Sequence, residues 1–95
     1  MRNVKLNITD ATGSTISIAK DPNRDELIIR NGETSDKIWL AFNEDAVADQ
    51  GLYLSAGDAI VLNSSKKDRK TRCTADVYMV CGAGETASVY ADITS

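Results

Sequence analysis

Short runs of alternating residues, interrupted every few positions by turn formers, constrain this chain more than any other feature. In an extended strand successive side chains point to opposite faces, so an apolar set at period two lies on one side of the backbone. Val4, Leu6 and Ile8 form one such set, with Lys5 and Asn7 between them. The densest stretch runs from Asp36 to Asn63 and holds the only Trp (Trp39), the only Phe (Phe42) and Tyr53. It reads as three strands, carrying Ile38, Leu40 and Phe42, then Leu52 and Leu54, then Ile60 and Leu62. Ile16 and Ile18 mark another. Leu27, Ile28 and Ile29 form one with apolar residues on both faces. Cys73, Ala75, Val77, Met79 and Cys81 share parity, as do Val89, Ala91 and Ile93.

The breaks are equally regular. Asp10 to Ser14 (DATGS), Lys20 to Asp25 with the only proline, Asn31-Gly32 and Ser55 to Asp58 (SAGD) are turn sequences. Gly82 to Glu85 (GAGE) is expected to join the last two strands as a hairpin. Asn43 to Gln50 is either one helical turn or a loop that tucks Val47 into the core. No run keeps a helical period for ten residues. The expected fold is all-β, an antiparallel sandwich or barrel of about eight short strands with no substantial helix. With 95 residues it is one domain, 1–95. A domain this small buries a modest share of its surface, so a partner surface would matter to its stability.

The chemistry is narrowed by what the chain lacks. There is no histidine, which removes the usual Ser-His-Asp and Cys-His arrangements and the commonest metal ligand. Cys73 and Cys81, placed on one extended strand, would sit roughly 26 Å apart at about 3.3 Å per residue. A disulfide needs Cα atoms within about 7 Å, so two free, partly buried thiols are expected. Asn43, Glu44, Asp45 and Asp49 offer oxygen donors without the spacing of a calcium loop, and a solvated acidic loop is the expected form. GAGE lies between strands and not before a helix, so it is no phosphate loop. We therefore expect no enzyme, no cofactor and no metal site.

No apolar run is long enough to span a bilayer. The N-terminal residues lack the continuous apolar stretch of a signal peptide, so synthesis in a cytoplasm is expected. A net charge of −3 and a pI near 4.8 argue against a nucleic-acid partner. The charge is unevenly spread. Lys66, Lys67, Arg69, Lys70 and Arg72 stand against a single Asp68, a local excess of about +4 that leaves about −7 elsewhere. Such a run is either a solvated loop or a docking loop for an acidic protein surface or a phosphate backbone. It has no aromatic residue on which a base could stack, so protein contact is the better of the docking readings. Trp39 and Tyr53 fall out of phase with the apolar sets of their strands. Both are expected to cover a second core face; exposure of either would mark an interface anchor.

Residues 25 to 94 resemble a family of short tailed-bacteriophage virion structural proteins. The shared pattern is a hydrophobic strand ending in Asn31, the Ile38-Leu40-Phe42 strand, the segment Ala46-Val47-Ala48, the strand Gly51-Leu52-Tyr53-Leu54, the turn at Gly57, and the final stretch Asp76 to Thr94. The basic run lies outside that pattern. The resemblance implies a head decoration (cement) protein that binds the assembled shell, with the major capsid protein or other virion proteins as partners. It implies a homo-oligomer, with a trimer suited to local threefold positions, located in the virion after synthesis in the bacterial host cytoplasm. It brings no catalytic residue. A head–tail connector or tail component is the alternative. A small ligand- or carbohydrate-binding β module is a further one, and would need an exposed aromatic platform.

Overall fold

The computed structural model describes residues 2–32, 37–63 and 73–94. The strands are β1 (Arg2–Thr9), β2 (Ile16–Ile18), β3 (Glu26–Asn31), β4 (Ile38–Phe42), β5 (Leu52–Leu54), β6 (Ala59–Asn63), β7 (Val77–Cys81) and β8 (Thr86–Thr94). They form two four-stranded sheets. Sheet I has the order β1-β8-β3-β6 and sheet II the order β2-β7-β4-β5. Every neighbouring pair is antiparallel.

The pairings follow one rule. β1 pairs with β8, β2 with β7, β3 with β6 and β4 with β5. The chain is thus one long two-stranded ribbon whose tip is the loop between β4 and β5. The ribbon folds over itself, so successive strand pairs fall in opposite sheets; β3·β8 joins the two pairs of sheet I and β4·β7 joins the two pairs of sheet II. This strand order is that of the eight-stranded jelly roll. The fold is all-β, and of the two expected forms it is the sandwich: the sheets do not close into a barrel.

The same order corrects the expected hairpin at Gly82 to Glu85. β7 lies in sheet II and β8 in sheet I, so this turn arches from one layer to the other. The Ser55 to Asp58 turn does the same between β5 and β6. Alternation reports which side of a strand is buried, and that is equally true of a hairpin and of an arch. Among the described residues, β4 and β5 are the only consecutive strands that pair directly.

The inner faces make the main core. Leu27, Ile29, Leu62, Val89, Ala91 and Ile93 of sheet I meet Ile38, Leu40, Leu54, Val77 and Met79 of sheet II. Asn31 is buried at the end of β3, and its Nδ2 donates to the Leu54 carbonyl at 3.1 Å, tying the sheets. Cys73 is not on an extended strand with Cys81. Cys73 and Thr74 are helical and β7 begins at Val77. Both thiols are nevertheless free and buried. Cys73 Sγ donates to the Arg24 carbonyl and Cys81 Sγ to the Ile8 carbonyl, each at 3.4 Å.

Candidate functional site

The outer face of sheet II carries a second apolar cluster. The register lines up Tyr53, Trp39 and Val80 in one row and Ala41, Tyr78 and Ile16 in the next. Trp39 is 9% exposed and packs with Ala46 and Val80, flanked by Ala41, Ala48 and Tyr78. It occupies the second core face, as its phase in the sequence suggests.

The cover over Trp39 is the β4–β5 loop. Ala46 N–H donates to the Gly13 carbonyl at 2.8 Å. A Cβ at Gly13 would lie 2.2 Å from the Ala46 oxygen, so only glycine allows this approach. Asn43 and Asp49 take left-handed backbone angles, φ 60° and 65°, a region that Asn and Asp tolerate better than most residues. Asn43 N–H donates to the Asp76 carbonyl, and Asn43 Oδ1 accepts from Asp76 N–H. The segment is therefore a pinned loop and not a helical turn. The expected burial of Val47 is also corrected: Ala46 is the buried residue and Val47 is 48% exposed. A methyl group fits between Trp39 and the Gly13 turn, and the next side chain in the loop points away from it.

Tyr53 does not join this core. It is 49% exposed, on the edge strand β5, and the Lys37 ammonium lies 4.9 Å from its ring centroid. Among the described residues no strand of the sheet lies beyond β5 to cover it. Ile16, at the opposite edge of the same face, is also exposed. Tyr90, another exposed ring, lies on the outer face of sheet I between Lys5 and Arg30. The two most exposed rings thus face away from each other, which is not the shared platform a carbohydrate would need.

Beside the loop lies an open groove of about 440 Å³, lined by Asp10, Gly13, Ser14, Asp45 and Val47. Of its carboxylates, Asp10 accepts the Gly84 N–H at 2.9 Å. Among the described residues no group of three or more His, Cys, Asp or Glu could hold a metal ion. Among the same residues no helix is long and apolar enough to cross a membrane. Lys66, Lys67, Arg69, Lys70 and Arg72, the contact residues expected from charge, lie outside the described residues.

Sequence reasoning missed Arg24. It sits in the Pro-Asn break, yet it is 2% exposed. Nε donates to the Cys73 carbonyl at 2.5 Å, Nη1 to Ala19 at 3.0 Å and Nη2 to Ala75 at 2.8 Å. Burial lowers the pKa of this guanidinium, and nearby Arg2 adds to the effect against the opposing pull of Cys73 and Asp21. Burial likewise pushes the Cys73 thiol up, with Arg24 opposing. Arg24 therefore clamps the residues that precede β7 to the β2–β3 turn. No periodicity marks such a residue in a turn.

No protein-family model matches this chain, and no curated protein matches it in sequence. The class is defined by the fold: a small antiparallel jelly-roll sandwich with one outer face part-covered by its own loop.

Proposed function

We propose that this chain is a structural protein of a bacteriophage virion, a head decoration protein that docks on the assembled shell through the outer face of sheet II. One observation carries the reading. That face keeps Tyr53 and Ile16 exposed around the Trp39 cluster, and interface anchors are enriched in aromatic side chains. Two features support it. Jelly rolls recur in viral capsid domains, although fold alone does not give function, and residues 25 to 94 resemble short virion proteins. The cations Lys66, Lys67, Arg69, Lys70 and Arg72 would add long-range attraction to an acidic shell, acting mainly on association rate and orientation.

Co-sedimentation with assembled, undecorated shells tests this. Tyr53→Asp with Ile16→Asp should lower affinity by about tenfold or more, the effect of losing an interface anchor. Changing Lys66, Lys67, Arg69 and Lys70 to Ser should flatten the salt dependence. Unchanged binding of the Tyr53 and Ile16 variant would remove the face from the interface. Wild-type protein found only at the tail-bearing vertex would replace the decoration reading with the connector one.

A further inference from the structure

A second surface lies at the other side of the sandwich, where the edge strands β1 and β2 run at the margins of the two sheets. Between them is a groove of about 330 Å³. Its floor is Val4, Ile18 and Ile93, and its rim carries Arg2 and Lys20. Val4 and Leu6 belong to the inward-facing set of β1 but are only partly buried, because β2 is three residues long and β1 eight. The seam is left open along the longer strand.

The charge on this seam is one-sided. Arg24 lines it from within, and its three acceptors are neutral carbonyls. The one carboxylate lining the groove, Asp21, already accepts the Asn23 N–H at 2.9 Å. Buried charges are ordinarily paired. Here three cationic side chains line the groove with one carboxylate, while Asp76 at its end accepts the Lys20 backbone N–H at 2.7 Å, and the excess of positive charge favours an incoming anion.

An edge strand is also a template for another strand, since its outer backbone groups have no neighbour in the sheet. Main-chain pairing with alternate side chains in pockets is a recurrent mode of peptide recognition. A second copy of β1 fits poorly. β1 carries Arg2 and Lys5 and no carboxylate, and an antiparallel pairing centred on Lys5 would set Lys5 opposite Lys5, which is destabilising.

We propose that the β1–β2 seam binds an extended segment of another protein, one with an apolar residue at every second position and a carboxylate at the next position of that same face, adding it to sheet I as a strand beside β1. The apolar side chains enter over Val4, Ile18 and Ile93, and a carboxylate meets Arg2 and Lys20. The site is separate from the outer face of sheet II and stands whether or not the shell reading does.

The test uses the protein alone, ¹⁵N-labelled, with a capped synthetic peptide that carries Val at every second position, Glu at the next position of that face and Thr between them, and a counterpart with Lys in place of Glu. The acidic peptide should bind at least about tenfold tighter, as opposite charges at a rim require. It should shift the amide signals of Arg2 to Leu6, Ser17 and Ile18, and slow exchange of β1 amides. Arg2→Glu with Lys20→Glu should invert the preference. If that variant does not fold, Arg2→Gln with Lys20→Gln should erase it. Equal binding of the two peptides, absence of binding, or shifts confined to Trp39, Tyr53 and Tyr78 would overturn the proposal. So would β1 protection that grows with protein concentration without peptide, which would give the seam to a second copy.

Discussion

The outer faces of the two sheets are built from the same ribbon and differ in what they expose. Sheet I presents Asn3, Lys5, Asn7, Glu26, Arg30 and Asp92, with Tyr90, Ile28 and the exposed Val61 among them. Sheet II presents Trp39, Ala41, Tyr78, Val80, Tyr53 and Ile16. The first face is mostly polar, its charged and amide side chains alternating with a buried set. The second departs from that pattern because the ribbon's tip folds back on it and buries its centre while leaving its margins bare. One face is therefore mostly polar, and the other is half core and half exposed apolar margin.

The contrast can be broken most directly at Trp39. Trp39→Ala should cost about 3–5 kcal/mol in chemical denaturation, the loss expected for a buried aromatic side chain. A cost under about 1 kcal/mol would make the outer face of sheet II no more a core than that of sheet I. The loop that covers Trp39 gives a smaller effect. Gly13→Ala places a methyl group against the Ala46 oxygen, and relieving it should cost about 1–3 kcal/mol. Hydrogen exchange should then quicken at Ala46 while the β1–β8 ladder stays protected. On sheet I the same kind of change should be nearly silent. Lys5→Ser and Asn7→Ser should each stay within about 0.5 kcal/mol of wild type, and a larger loss at either would mean that this face is covered by something in solution.

Much of this architecture could be read from residue parity. The strands around Val4, Ile16, Leu27, Ile38, Leu52, Ile60, Val77 and Val89 are all present. The sheet to which each belongs could not be read, because inward alternation is identical whether a turn closes a hairpin or arches between layers. That is why GAGE misled. Burial in the tip loop turned on steric fit: Ala46 is admitted by a glycine in a different turn, and Val47 is not. Tyr53 is exposed because its strand lies at a sheet edge, a position set by the whole strand order. Arg24 is the extreme case, since its acceptors Ala19, Cys73 and Ala75 converge only in the folded chain.

The ribbon rule also sets how this domain can be made. Arg2 lies opposite Ile93, while Leu40 lies opposite Leu52, so pairings range from local to nearly the full span of the chain. Loop-closure entropy favours the nearby pair first, and each later pair is brought closer by the one before it, like a zip closing from β4–β5 outward. β8 sits between β1 and β3 in sheet I, so β1 has no place to attach until β8 has been synthesised. During translation the first strands leave the ribosome without their neighbours, and folding of sheet I is completed only after the last strand emerges. The expected timescale is the slow one of β topologies, milliseconds to seconds.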